Sequence, residues 1–443
     1  MADKAEALRN EILSKVEEYY RLTHAEREPF VAGSSKINYA GRFFGQEEML
    51  NLVDSALEFW LTQGRYSKEF ERRLASILGV QHCALVNSGS SANLLAFMTL
   101  TSPVLGERAI RRGDEVITVA AGFPTTVAPI VQYGAVPVFV DVDLSTCNLL
   151  SSQLEAALSS RTKAVMAAHT LGNPFDLDAV TAFCEKHGLW LIEDNCDALG
   201  SKYRGKFTGT YGDLGTSSFY PPHHITMGEG GAVYTSDPKL KRVMISLRDW
   251  GRDCWCDSGK DNTCRKRFEK RYGDLPLGYD HKYVYSHFGY NLKPTDLQAA
   301  VGLAQLDRLS NFTDLRKRNF SILSERLEGL SDQFILPRPT DGADPSWFGF
   351  LLTLRDGEGE RRNRITRFLE DEKIQTRNLF AGNLLKHPCF SELEEGKDYR
   401  VIGDLAATDK IMNDSFWVGV YPGMRMEELE YMADKIIQAS ALD

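Results

Sequence analysis

Two adjacent histidines, His223 and His224, lie between a short serine-containing stretch and a glycine-rich turn within residues 217–231. An imidazole titrates near neutral pH and can act as a general base or general acid, although a single histidine is more often structural. A lysine amine can instead form a Schiff base with a carbonyl compound. Because no lysine occurs between Lys206 and Lys239, this segment predicts proton transfer rather than covalent catalysis.

Three other segments place polar or aromatic side chains directly after apolar runs. Gly89 and Ser90 precede a helical pattern, where free backbone N–H groups and hydroxyls can bind a phosphate or simply cap the helix. Asp194 follows the apolar run 189–192, and its carboxylate can pair with a protonated ring nitrogen or cap the next helix. Phe123 can stack on a planar group or pack in the core. Each signal is weak alone.

Four of the eight cysteines form a pattern. Cys196, Cys254, Cys256 and Cys264 are separated by 57, one and seven residues. Four thiolates can bind zinc or an iron–sulfur cluster, but this spacing matches neither the common zinc pairs nor the common ferredoxin runs. The residues alone therefore leave a metal site and scattered free thiols as alternatives.

The elements that must position these residues alternate between strand and helix. Apolar runs at 116–119, 136–140, 163–168 and 189–192 predict buried strands, and helical patterns lie between them. Such alternation predicts an α/β fold with a mainly parallel sheet, in which ligands bind beyond the carboxyl ends of the strands. Residues 250–290 lack any period and predict a long functional loop. Residues 294–330 predict a helix that begins after Thr295, and residues 347–354 a further strand.

Length and composition exclude several classes of protein. A chain of 443 residues is long enough for two domains, and we expect an N-terminal helical segment at 1–34, a large domain at 35–310 and a small α/β domain at 311–443. The net charge of -9 is spread along the chain, which argues against nucleic acid as a partner. No apolar run approaches the roughly 18 to 20 residues of a membrane span, so a cytoplasmic location is predicted.

Taken in order along the chain, these weak signals resemble a known family. The glycine–serine helix start, the aromatic residue, the strand-end acids and Ser217-Ser218-Phe219 followed by Gly228-Glu229-Gly230-Gly231 are similar to the vitamin B6-dependent sugar aminotransferases and dehydrases. The likeness covers roughly residues 35 to 440 and includes the segment 289–300. It implies an aspartate aminotransferase-like fold with a large domain and a smaller C-terminal α/β domain.

The resemblance also implies a role for six residues around the cofactor. Gly89, Ser90 and Ser218 would surround its phosphate, Phe123 would stack on its ring, Asp194 would pair with its pyridine nitrogen, and Asn291 would reach the phosphate bound by a neighbouring subunit. The protein is therefore expected to be a homodimer.

The chain departs from this family at the lysine that normally holds the cofactor, because His223 occupies that position. Spacing from Ser218 and from the glycine-rich turn selects His223 over His224. Without the lysine amine, the expected cofactor is the amine form, pyridoxamine phosphate (PMP), rather than pyridoxal phosphate (PLP) linked to a lysine. It is expected to be bound noncovalently. His223 is then the candidate general base at the C4′ position of the cofactor.

The histidine and the four cysteines together resemble the iron–sulfur 3-dehydrases of this family. That resemblance implies a [2Fe-2S] cluster on Cys196, Cys254, Cys256 and Cys264, and C3 dehydration of CDP-4-keto-6-deoxyglucose in the biosynthesis of 3,6-dideoxysugars of lipopolysaccharide O-antigens. Electrons would arrive singly from an NADH-dependent flavin/iron–sulfur reductase. The basic run 265–271 is either a docking patch for that reductase or a solvated loop face.

Three other functions stay open at this stage: a sugar aminotransferase, a cluster-independent 3-dehydrase, and a non-enzymatic regulator that keeps the cofactor pocket. The first would need a Schiff-base lysine, and the second would need glutamate to restore the amine of its cofactor. Arg377 is either a contact for a substrate diphosphate or a surface residue.

Overall fold

The computed structural model describes residues 2–256, 259–263, 265–357 and 359–442. Its strands are β1 His82–Val86, β2 Glu115–Val119, β3 Val136–Val140, β4 Thr162–Ala168, β5 Trp190–Asp194, β6 Lys202–Tyr203, β7 Lys206–Phe207, β8 Leu214–Ser218, β9 Gly231–Thr235, β10 Phe334–Ile335, β11 Ala343–Asp344, β12 Gly349–Leu354, β13 Arg400–Val401 and β14 Ser415–Gly419. Its α-helices are α1 Ala2–Thr23, α2 Gln46–Glu58, α3 Arg65–Leu78, α4 Gly89–Leu100, α5 Pro124–Tyr133, α6 Leu154–Ala157, α7 Leu177–His187, α8 Pro238–Arg248, α9 Asp296–Asp307, α10 Leu309–Leu327, α11 Glu360–Asp371, α12 Ala406–Asp414 and α13 Met426–Ser440.

The main sheet has the order β1-β9-β8-β5-β4-β2-β3-β13. All neighbours from β8 to β13 are parallel, and β9 alone runs antiparallel to both of its neighbours. The predicted α/β class with a mainly parallel sheet is thereby confirmed, as are the four predicted strands, which correspond to β2, β3, β4 and β5.

Successive residues of the central strands point to opposite faces of this sheet, and each face has its own apolar core. Val116 packs in the core that includes α4 and α8, whereas Ile117 packs in the core that includes α7. Because β2 and β3 are buried along their whole length, their sequences are mostly apolar rather than alternating, with Glu115 and Thr118 as the polar residues of β2. The strand ends, where apolar side chains give way to polar ones, are thus fixed in space by two packed layers of helices.

A second sheet of three strands, β10-β12-β14, packs with α10, α11 and α13 around a separate apolar core. The predicted strand at 347–354 is confirmed as β12. The helix predicted at 294–330 is instead two helices, α9 and α10, which meet at Arg308. Thr295 caps α9 as predicted, and its hydroxyl accepts a hydrogen bond from the Gln298 N–H.

Residues 250–290 join α8 to α9, and in their described part the only helical turn is the 3-10 turn His281–Tyr283. The predicted long irregular loop is confirmed. The division into three segments stays a prediction, and β13 at 400–401 joins the main sheet although it belongs to the C-terminal third. Among the described residues no helix combines the length and apolarity that crossing a membrane requires.

Candidate active site

A cleft of about 770 Å³ opens at the carboxyl ends of the parallel strands. It brings together seven residues that the sequence had selected from distant positions: Gly89, Ser90, Phe123, Asp194, Cys196, Ser218 and His223. Residues of the C-terminal third, among them Phe348, Arg377 and Trp417, form its other wall. The cleft therefore lies between the main sheet and the C-terminal part of the chain.

The start of α4 and the end of β8 form one corner of this cleft. Gly89 is the first residue of α4, after Ser88, whose hydroxyl accepts a hydrogen bond from the Ser91 N–H. A Cβ atom on Gly89 would lie 2.4 Å from the Cβ atom of Ser218, so only glycine permits this approach. Unpaired N–H groups at a helix start, together with the Ser90 and Ser218 hydroxyls, fit a phosphate group.

Asp194 lies at the floor of the cleft and is held in place by three donors. The Asn93 side-chain amide and the Thr126 hydroxyl each donate to Oδ2 over 2.7 Å, and the backbone N–H of Cys196 donates to Oδ1 over 3.1 Å. These three bonds fix the orientation of the Asp194 carboxyl group. An ionised carboxylate in a buried site can hold a protonated ring nitrogen.

Sequence reasoning missed Asn93 and Thr126. Asn93 follows two serines at the start of α4, and Thr126 follows Thr125 at the start of α5, so the sequence offers no contrast that marks either residue. Asn93 is itself oriented by Thr216, whose hydroxyl donates to the amide oxygen over 2.7 Å.

Phe123 is the residue before α5 and is 52% exposed, so it does not belong to the core. Its ring meets that of Phe380 edge-to-face, with the centroids 6.0 Å apart. One face of an exposed, oriented aromatic ring is what stacking on a planar cofactor requires.

His223 lines the cleft, whereas His224 is buried beside it and its Nε2 atom lies 2.7 Å from the Ser346 carbonyl oxygen. The His223 Nδ1 atom lies 3.7 Å from Oδ1 of Asp197, and its ring leans on Phe348 with the centroids 5.3 Å apart. Burial lowers the pKa of His223 to about 4, so the imidazole is uncharged at neutral pH.

Asp197 is a third residue that the sequence did not single out. Burial, and then the charge of Asp194, raise the pKa of the Asp197 carboxyl to about 8.

Among the described residues that line the cleft there is no lysine.

The predicted metal ligands are only partly placed. Cys196 lines the cleft, Cys254 and Cys256 lie in the loop after α8, and Cys264 falls outside the described residues. The described part of the chain contains no group of three or more histidine, cysteine, aspartate or glutamate side chains that could hold a metal ion. Burial and the Asp194 carboxylate raise the pKa of the Cys196 thiol well above its usual value. The four-cysteine site stays a prediction.

Asn291 and the basic run lie outside the cleft. Asn291 is exposed and is absent from the cleft lining of its own chain. In the basic run, Arg267 forms two hydrogen bonds with the Asp280 carboxylate, at 2.8 and 2.6 Å, whereas Arg265 and Lys266 are exposed. Arg267 therefore belongs to the internal structure of the loop and is not a free surface charge.

Comparison with known proteins places this geometry in a family. The chain is 53% identical over 431 residues to the lipopolysaccharide biosynthesis protein RfbH of Salmonella typhimurium, covering 97% of this chain and 98% of that one. It is 50% identical over 430 residues to a dTDP-4-dehydro-2,6-dideoxy-D-glucose 3-dehydratase of Saccharopolyspora spinosa, covering 97% and 92%.

Among solved structures, E. coli GDP-4-keto-6-deoxy-D-mannose-3-dehydratase with bound hydrated PLP matches with a TM-score of 0.80 and 26% identity, over 91% of this chain and 100% of that chain. The predicted aspartate aminotransferase-like fold is confirmed by this likeness. The model of the DegT/DnrJ/EryC1/StrS aminotransferase family matches residues 44–437. The chain belongs to the DegT/DnrJ/EryC1/StrS aminotransferase family.

Proposed function

We propose that this protein catalyses dehydration at C3 of a nucleotide-linked 4-keto-6-deoxyhexose, with pyridoxamine phosphate as its cofactor. When bound, this cofactor supplies an amine that condenses with the C4 ketone and a ring that accepts electrons. The observation that carries the proposal is His223, an imidazole in a cleft that no lysine lines among the described residues. A relative of 50% identity named as a sugar 3-dehydratase supports it.

Each group of residues in the cleft has its own proposed role in binding the cofactor. Gly89, Ser90 and Ser218 bind the phosphate, and Phe123 stacks on the ring. Asp194, held by three donors, keeps the ring nitrogen protonated.

His223 is the residue proposed to transfer a proton at the C4′ atom of the cofactor. Because its imidazole is uncharged at neutral pH, His223 would accept a proton from the C4′ atom of the bound cofactor and could pass it to the C3 hydroxyl, which would leave as water. A lysine amine at this position would instead bind the cofactor covalently and favour transfer of the amino group.

The active form is proposed to be a homodimer. Asn291 is exposed and takes no part in the cleft of its own chain, which supports a role at the phosphate site of a neighbouring subunit. We propose CDP-4-keto-6-deoxyglucose as the substrate, in line with the resemblance of the histidine and cysteine pattern to the 3-dehydrases of 3,6-dideoxysugar biosynthesis.

We further propose that Cys196, Cys254, Cys256 and Cys264 ligate a [2Fe-2S] cluster that receives electrons from an NADH-dependent reductase. The support is the resemblance of the four cysteines, taken together with His223, to the iron–sulfur 3-dehydrases, because their spacing alone leaves a metal site and free thiols as alternatives. A cluster-independent 3-dehydrase is the second candidate, because it could use the same histidine in the same cleft.

Iron and sulfide analysis of anaerobically purified protein, with its visible spectrum, separates the two candidates. The cluster predicts about two irons and two sulfides per chain, and loss of both in Cys254→Ser but not in the buried control Cys184→Ser. Protein that lacks iron yet dehydrates the substrate with glutamate as amine donor would establish the second candidate and exclude the first.

The dehydration itself is tested at His223. His223→Asn should abolish release of the C3 hydroxyl, measured by NMR of the sugar product, while pyridoxamine phosphate still binds. His223→Lys should bind pyridoxal phosphate covalently, with a new absorption band, and gain amino transfer. Unchanged dehydration in His223→Asn would contradict the proposed base.

Docking of the reductase is tested on exposed charges only. Charge reversal at Arg265 and Lys266 should raise the half-saturating reductase concentration, most strongly at low salt, since screening weakens such attraction. Lys4→Glu on α1 is the matched control. Equal effects of the two changes, or no effect of the first, would exclude this patch. Arg267 is unsuitable for the test because it pairs with Asp280.

A further inference from the structure

The charges that line the cleft are mostly acidic. Asp194 and Glu229 line it, as does Asp197, whose pKa is raised to about 8 by burial and which is therefore mostly uncharged at neutral pH. Arg377 is the only lysine or arginine among the described lining residues. Among the described residues that line this cleft, a substrate that carries a diphosphate therefore meets a single permanent cation.

Arg377 is held at the wall opposite the main sheet. Its backbone N–H donates to the Trp417 carbonyl over 3.0 Å, and the Trp417 N–H donates back over 2.7 Å, which fixes the residue to β14. Its guanidinium lies over the ring of Tyr39, 4.1 Å from the centroid. The backbone position and the direction of the side chain are thus both restrained.

The guanidinium of Arg377 has no acidic partner in the described part of the chain. Its one side-chain hydrogen bond within the described structure runs to the Thr376 carbonyl over 2.6 Å, and no described carboxylate lies within ion-pair distance of it. An arginine presents five N–H donors in a planar fork that matches two phosphate oxygens, and one bond leaves most of them available. The Tyr39 ring restricts its rotamers and so lowers the entropy lost on binding.

We propose that Arg377 is the diphosphate-binding residue of the substrate site, with its guanidinium stacked on Tyr39 and bound to the phosphate oxygens of a nucleoside diphosphate sugar. This inference rests on the nucleotide-sugar substrate proposed above and names the residue that recognises it. The charge complementarity involves only the diphosphate group, so it does not depend on which nucleobase the substrate carries.

The test measures equilibrium binding of CDP, CMP and cytidine to the enzyme loaded with pyridoxamine phosphate, by isothermal titration calorimetry and without turnover. Arg377→Gln should weaken CDP binding about 10- to 100-fold, the usual range for a hydrogen bond to a charged group. It should leave cytidine binding and the cofactor spectrum unchanged. Arg377→Lys should recover part of the CDP affinity, since it restores the charge without the planar fork.

Arg367→Gln is the matched control, because Arg367 is an exposed arginine of α11 outside the cleft lining. CDP binding that is unchanged in Arg377→Gln, or weakened equally in Arg367→Gln, would overturn the inference, as would the absence of CDP binding to the wild type. If CDP binding depends on Arg377 but no dehydration occurs, the proposed reaction fails and the nucleotide site stands. If dehydration occurs and Arg377→Gln retains full affinity, only the nucleotide site fails.

Discussion

Replacement of Gly89 by alanine tests whether the start of α4 and the end of β8 form the phosphate site. The added Cβ atom would lie 2.4 Å from Cβ, 2.6 Å from Oγ and 3.1 Å from Cα of Ser218. Real Cβ contacts are not found at the first two distances, so β8 or α4 must shift. The shift separates the two elements whose N–H groups and hydroxyls are proposed to bind the same phosphate.

This clash should change both the free energy of unfolding and the affinity for pyridoxamine phosphate. Overpacking a well-packed site typically costs about 1 to 3 kcal/mol in the free energy of unfolding, less the few tenths that alanine gains over glycine in a helix. Loss of one hydrogen bond to the charged phosphate costs about 1.5 to 3 kcal/mol in binding, which corresponds to about a 10- to 150-fold rise in the dissociation constant of pyridoxamine phosphate.

The assay is urea unfolding of the cofactor-free protein together with equilibrium dialysis against pyridoxamine phosphate. Gly122→Ala is the matched control, since a Cβ atom there lies in the same cleft and meets only the Val119 Cγ2 atom, at 3.9 Å. Adding Ser218→Gly to Gly89→Ala removes the clashing Cβ and Oγ atoms, so it should restore stability but not affinity. Wild-type cofactor affinity in Gly89→Ala would refute the phosphate site.

Two further predictions concern the buried polar groups around the cofactor. Thr126→Val, which removes one donor to Asp194, should weaken cofactor binding by at least about tenfold, whereas Thr125→Val should not, and dialysis of both variants measures the difference. Burial lowers the pKa of His224 well below 6.5, so the unfolded chain takes up a proton that the folded chain rejects, and stability falls as the pH falls below about 6.5. His224→Asn should reduce this loss in urea unfolding from pH 7 to 5 but not abolish it, because the lowered pKa of His223 has the same effect. His24→Asn, an exposed control, should keep the wild-type slope.

Much of the fold was predictable because its local signals agree. The central strands are buried on both faces and therefore appear as mostly apolar runs, and Thr295 and Gln298 form a capping box that marks the start of α9. The break at Arg308 was missed, since the apolar period continues across it and only packing separates α9 from α10. The pairing of β13 with β3 was equally hidden, because two residues carry no periodicity.

The residues of the candidate site also fall into those that the sequence predicts and those that it does not. Residue type and spacing select His223, Asp194 and the glycine–serine turn, because the chemistry of an imidazole, a carboxylate and a helix start is local. The donors around Asp194, the proximity of Asp197 to His223 and the place of Arg377 depend on contacts between residues distant in the chain. No periodic pattern encodes such contacts.

The sequence by itself determined the family resemblance, the α/β class and the replacement of a lysine by His223, since these follow from residue identity and local order. Only the tertiary structure decided that Phe123 is exposed in the cleft, that Arg267 is bound to Asp280, and that Arg377 is the one permanent cation among the described lining residues. The reason is that burial and pairing of a side chain are set by neighbours that folding brings together, often from more than a hundred residues away in the chain.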